Sequence, residues 1–110
     1  ADKQVEEHVW LLALNAKLKP VGVFEVSHGS REASACGMRE IFMRLCLCGA
    51  SAFTIVHNHP TGDCFPSKED RQITETLKNA AELMQIKFLD HIIIGAGEFY
   101  SFTENKNNTK

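Results

Sequence analysis

The sequence lacks an excess of either charge. Twelve Lys and Arg stand against 14 Asp and Glu, for a net charge of -2. Bulk charge therefore gives no reason to expect nucleic acid or an acidic membrane as a partner. Long apolar runs are also missing. The longest, such as VWLLAL, are far short of the ~20 residues that a membrane-spanning helix needs, and no membrane partner is expected. The first residues, ADKQVEEHVW, lack the basic flank and apolar core of a secretory signal, so a cytoplasmic location is expected. They also lack an initiating Met, as a piece excised from a longer chain would. No internal repeat or low-complexity segment is visible. Only the polar end, within TENKNNTK, reads as disordered, which gives one domain over 6–104 and a disordered tail over 105–110.

Cysteine is present but not in a pattern that staples or ligates. With nothing to indicate secretion, Cys36, Cys46, Cys48 and Cys64 read as reduced thiols. Cys46 and Cys48 are two apart in a helical segment, so they point in different directions, which argues against a shared metal. They read as small, partly buried hydrophobes, and Cys64 reads as a solvent-facing loop residue.

What is present suits a globular domain: 110 residues, 44% of them hydrophobic, can bury a real core. Residues 8–14 (HVWLLAL) suit a buried strand, with a helix as the alternative, and Trp10 reads as core. NAKLKP is a turn, and Val21 to Val26 its hairpin partner. From Ser34 the period changes. Met38, Ile41, Phe42 and Leu45 fall at helical spacing, in a helix ending near Gly49. Ala52 to Val56 is a short apolar strand. A second helix starts near Ser67, with Ile73, Leu77, Ala80, Ala81 and Met84 as its stripe. Lys87 to Ile94 is a buried strand, Gly95-Ala96-Gly97 a turn, and Glu98 to Phe102 the last strand. The order β-β-α-β-α-β-β predicts an α/β fold, a mixed β-sheet flanked by helices.

One stretch carries chemistry: HNHPTGDCFPSKED, His57 to Asp70. His57 and His59 are two apart at a strand end, so both imidazoles reach one side. Asp70 falls in the first turn of the following helix, eleven residues after His59. Pro60, Gly62, Asp63 and Pro66 allow the chain between to reverse. Two His and one carboxylate, with a fourth position left to water, form the donor set of a catalytic zinc. Such a site implies hydrolysis of an amide or ester. The bland reading has Ser67 and Asp70 as a helix capping box with Asp in place of Glu, and the two His as surface residues. Other His-x-His sites fit poorly. A metallo-β-lactamase pattern would need Asp-His after Pro60, where Thr61 and Gly62 stand. Amidohydrolases need a barrel of roughly 250 residues. Zinc deaminases need His-x-Glu and Pro-Cys-x-x-Cys, and neither occurs.

His57-x-His59, then seven residues, then Ser67-x-x-Asp70 resembles the JAMM signature of JAB/MPN metalloproteases. HNHPTGD, PSKED and LDHIIIG resemble in particular the bacterial RadC branch, over about Glu6 to Glu104. The resemblance implies a JAB/MPN (cytidine-deaminase-like) architecture. It also implies Zn2+ on His57, His59 and Asp70, and Ser67 stabilising a tetrahedral intermediate. A glutamate would act as general base on a zinc-activated water attacking an amide carbonyl. Glu7 is the first candidate for that glutamate, ahead of Glu25 in FEVSHGS and Glu6. His91, in LDHIIIG, reads as a hydrogen-bonded structural His.

The leading expectation is therefore a RadC-type zinc metallopeptidase or isopeptidase-like hydrolase acting on a peptide or protein substrate. The alternative is a JAMM-fold interaction module with little or no hydrolytic activity. A DNA-repair role follows only from the family's name. RadC chains often carry a helix-hairpin-helix region N-terminal to this domain, and no such segment or basic stripe is visible here. Exposed strand edges offer a route to a dimer.

Overall fold

The computed structural model describes residues 7–28, 33–59, 62–104 and 106–109; for 27, 28, 33–36 and 106–109 it describes the backbone alone. The elements are β1 (His8–Leu14), β2 (Pro20–His28), α1 (Ala33–Leu47), β3 (Ala52–Asn58), α2 (Lys68–Met84), β4 (Lys87–Ile94), β5 (Glu98–Ser101) and β6 (Lys106–Thr109). They form one mixed six-stranded sheet in the order β2-β1-β3-β4-β5-β6, with both helices packed on it. This is the α/β class that the alternation of strand and helix patterns predicts. No helix among the described residues is long and apolar enough to cross a membrane.

β1 forms an antiparallel hairpin with β2 and pairs antiparallel with β3 on its other side. β3 and β4 run parallel, joined by the α2 crossover. A parallel pair needs such a crossover, and the crossover brings a helix start beside the strand ends. That arrangement places the start of α2 beside the C-terminal end of β3.

Alternation sorts the side chains. Leu11, Ala13, Phe53 and Ile55 turn to one face and form the main core with Ile41 and Leu45 of α1 and Leu77 and Ala81 of α2. Both helices therefore cover the same face of the sheet. His57 is two residues beyond Ile55, so it lies on this covered face at its edge. Trp10 alternates to the other face. It is partly exposed there and stacks on His8 at 5.4 Å, instead of joining the core as its size suggested.

Each helix ends on a residue with positive φ. After α1 the left-handed residue is Gly49 (φ 69), and the N–H of Ala50 reaches back to the carbonyl of Leu45 at 3.0 Å. After α2 it is Gln85 (φ 60), with the N–H of Ile86 reaching Ala81 at 3.0 Å. The disordered tail expected over 105–110 is corrected in part. Residues 106–109 are β6, antiparallel to β5. The polar composition hides a strand because what orders it is the open backbone edge of β5, not side-chain burial.

A second small cluster lies beyond the site. Cys64, Ile93 and Tyr100 are buried together, with Phe102 against them. Here the turn between β4 and β5 presses on the loop that follows His59. The N–H of Ala96 donates to the carbonyl of Gly62 at 2.7 Å, and that of His59 to Ile94 at 3.4 Å. A Cβ on Gly95 would meet the Gly62 oxygen at 2.7 Å and the Asp63 carbonyl carbon at 2.9 Å, both backbone atoms that cannot rotate away. Gly95→Ala is therefore expected to destabilise the domain by about 1–3 kcal/mol, the usual range for overpacking. Urea unfolding of the two proteins checks it, and an unchanged midpoint would mean that the loop is free to give way.

Candidate metal centre

Three donors converge where β3 ends and α2 begins. His57, His59 and Asp70 each offer one ligand atom, and these atoms lie within 4.8 Å of one another. His57 is the last covered-face residue of β3, and His59 follows one residue after the strand. Asp70 arrives from the first turn of α2, whose start is fixed by a capping box. The Ser67 hydroxyl accepts from the N–H of Asp70 at 3.0 Å, and the N–H of Ser67 donates to Asp70 Oδ2 at 2.8 Å. The capping reading of Ser67 and Asp70 is thus correct, and it coexists with the cluster, because the box holds the Asp70 carboxylate in place.

Asp70 Oδ2 also lies 2.8 Å from His59 Nε2, while Oδ1 is 3.3 Å from His57 Nε2. Burial works against the charged form of Asp70. The two imidazoles and the Ser67 N–H outweigh it and hold the carboxyl well below the usual range. The same contact with Asp70 raises the pKa of His59, against the opposing effect of burial, with Asp63 adding to the rise. Asp63 Oδ1 is 3.5 Å from His59 Nδ1 and accepts the N–H of Phe65 at 3.1 Å, which ties the ring orientation to the loop.

Behind His57 the site continues inward. His57 Nδ1 lies 2.9 Å from His91 Nε2, and His91 Nδ1 lies 2.6 Å from the Thr74 hydroxyl. His91 is 1% exposed and stacks on Phe102 at 4.7 Å. It is the hydrogen-bonded structural His that the sequence suggested. Burial, reinforced by the neighbouring His57, pushes its pKa down to about 3.

The donor set fits a divalent cation. Among buried side-chain nitrogens and oxygens of the described residues, His57 Nε2 is the one without a hydrogen-bond partner. Asp70 Oδ1 lies 3.3 Å from it, but not in hydrogen-bonding geometry. An orphaned buried imidazole nitrogen is costly unless something outside the protein's own hydrogen bonds completes it. Two imidazole nitrogens and a carboxylate oxygen are the donors that would hold such an ion. By contrast, an apolar groove of about 630 Å3 between α1 and α2, lined by residues such as Met38, Phe42, Leu83 and Met84, offers no such donor.

The strand register separates the glutamates. Val9 pairs with His57 and Trp10 with Val56, so Val9 shares the face of His57 and Trp10 the opposite one. Glu25 pairs with Trp10, on the face away from the cluster, and its carboxylate is hydrogen-bonded to His8 Nδ1. Glu25 is therefore corrected as a candidate base, because the sheet stands between it and the three donors. Glu7 stands directly before β1, two residues before Val9, whose partner is His57, so the alternation of the strand carried back past its end would turn it toward the face of His57. Glu6 lies outside the described residues.

Cys64 needs revision, and Thr74 joins the residues of interest. Cys64 is fully buried beside Ile93 and Tyr100, not solvent-facing, and burial together with Glu98 pushes its thiol pKa up, away from reactivity. Thr74 belongs to no motif in the sequence, yet it is 4% exposed and bonded to His91. Its signal was spacing: Asp70, Thr74, Leu77 and Ala81 recur at i, i+4, i+7 and i+11, and all four are buried. Of the other thiols, Cys46 is exposed and Cys48 half-buried, both free; the side chain of Cys36 lies outside the described residues.

Comparison with known proteins points one way. The sequence profile of the RadC-like JAB domain matches residues 1–107. A UPF0758 protein of Chlorobium phaeovibrioides is 44% identical over 102 residues, covering 93% of this chain and 46% of that protein. One of Pelobacter propionicus is 47% identical over 98 residues, 89% of this chain and 43% of that protein. The chain spans a little under half the length of these relatives.

Buried His91 gives a pH signature. Its folded pKa is depressed, so the unfolded chain binds a proton first as pH falls below about 6.5. Stability is then lost as pH drops from about 6.5 towards about 3. In metal-free protein, His91→Gln is expected to be less stable at neutral pH but to lose less on acidification, by about 1.4 kcal/mol for each unit of the shift. Denaturant unfolding of both proteins across this range checks it, and parallel acid profiles would contradict a neutral, buried His91.

Proposed function

This chain belongs to the RadC-like JAB domain family, and on that premise we propose that it is a zinc-dependent hydrolase of amide bonds, a peptidase or isopeptidase, whose metal sits on His57, His59 and Asp70. The observation that carries this reading is the buried, partnerless Nε2 of His57 inside a cluster of two imidazoles and a carboxylate. Three protein donors with a position left to water are the pattern of catalytic zinc. When bound, zinc supplies Lewis acidity towards a carbonyl and lowers the pKa of a water.

The chain's own residues divide the remaining work. The carboxylate of Glu7 is assigned as the general base, taking a proton from the attacking water and returning it to the leaving nitrogen. Its position two residues before Val9, the strand partner of His57, supports this assignment over Glu25, which pairs with Trp10. Ser67 is assigned to the oxyanion. As an N-cap its hydroxyl accepts from Asp70, which uses a lone pair and leaves the hydroxyl hydrogen to donate to charge developing on a carbonyl oxygen. One residue can thus cap the helix and assist the reaction at the same time. Asp70, held by the capping box, keeps its carboxylate ionised as a ligand must be.

Zinc-loaded protein is expected to cleave some members of a panel of peptides and isopeptide-linked conjugates. Glu7→Gln is expected to lower that rate about 100- to 10,000-fold, the range for loss of a general base, with zinc content unchanged. Full zinc occupancy with no cleavage across the panel would overturn the hydrolase reading and leave an interaction module. Full activity in Glu7→Gln would remove Glu7 from the mechanism.

A further inference from the structure

We propose that Thr74 and His91 are positioning residues that set the tautomer of His57, so that His57 presents an unprotonated Nε2 to the metal. This builds on the zinc reading above, but its argument comes from the hydrogen-bond chain behind the cluster.

The chain starts at Thr74. Its hydroxyl oxygen lies 2.9 Å from the main-chain oxygen of Asp70, four residues back in α2, and 2.6 Å from Nδ1 of His91. A hydroxyl has one hydrogen, and a carbonyl oxygen can only accept. Both contacts are satisfied together in one way. The hydroxyl donates to the Asp70 carbonyl and accepts from the Nδ1–H of His91. A neutral imidazole carries a single N–H, so Nε2 of His91 is then an acceptor. Its neighbour at 2.9 Å is Nδ1 of His57, which must donate. The one hydrogen of neutral His57 is used there, and its Nε2 is left as a lone pair facing Asp70 Oδ1 at 3.3 Å.

The reverse order of hydrogens fails at both ends. The Thr74 hydroxyl would donate to His91, leaving two oxygen lone pairs facing each other at 2.9 Å within α2. At the other end, His57 would carry its hydrogen on Nε2, which would leave that nitrogen with no lone pair for a metal. In the forward order the orphaned atom is a lone pair aimed at a carboxylate oxygen, an arrangement that a cation between them completes. The Asp70 segment thus enters the site twice: its carboxylate is a donor in the cluster, and its main-chain oxygen orders the hydrogens that prepare another donor, His57.

Two measurements test this. Long-range 1H–15N correlation of the metal-free wild-type protein at neutral pH reads the His57 tautomer directly. The expected pattern is a protonated Nδ1 and an unprotonated Nε2, and a hydrogen on Nε2 would overturn the proposal. Zinc affinity, measured by competition with a chromophoric chelator, is expected to fall about 10- to 100-fold in Thr74→Val, the range for removing a partner behind a metal ligand. Thr74→Ser, which keeps the hydroxyl, is expected to bind like wild type. Unchanged affinity in Thr74→Val, or equal loss in Thr74→Ser, would also overturn it. Failure of the metal reading is distinguishable, because wild-type protein would then bind no zinc whatever the His57 tautomer.

Discussion

Everything at this site depends on one buried carboxylate. Asp70 is 6% exposed and is shared between the start of a helix and two imidazoles. The cap fixes Asp70 Oδ2 against the Ser67 N–H, and the same oxygen faces His59. A charged group buried this deeply survives only when hydrogen bonds and opposite charge offset its lost hydration. The helix start supplies part of that support, and the hydrogen bond with His59 adds to it. Local secondary structure and the proposed chemistry therefore draw on the same atoms. A change that frays the first turn of α2 would also misplace a ligand.

The sheet then decides which residues can take part. The parallel β3–β4 pair obliges the chain to cross over, and α2 is that crossover. Its start falls beside the end of β3, so a motif separated by a reversing loop closes on itself in space. Alternation along β1 does the complementary sorting. It pairs Val9 with His57 on the side of the cluster and sends Glu25, opposite Trp10, to the far face. The β4–β5 turn, lying against the loop through Gly62 and Gly95, holds the segment after His59 from outside.

Much of this was legible in the sequence. The first five strands and both helices are amphipathic or apolar enough to read, and the α/β class follows from their order. The His-x-His and Ser-x-x-Asp elements carry their geometry in their spacing, because a strand end and a helix start each fix side-chain direction. What could not be read depended on neighbours distant in the chain. Cys64 looked exposed because it lies in a polar loop, yet Ile93 and Tyr100 close over it. Trp10 looked like core because it is large, but the face of a strand residue is set by its partners, here Val56 and Glu25. Thr74 is polar by composition and buried by position, and its meaning appears only when His91 is placed beside it from β4. The final strand orders through backbone pairing, to which hydrophobic patterning is blind.

The central claim is that His57, His59 and Asp70 together hold one zinc ion. Metal analysis of the purified protein after incubation with zinc and desalting tests it most directly. The account predicts about one zinc per chain and its loss in the His57→Ala, His59→Ala double variant. Wild-type protein with no more zinc than that variant would contradict it.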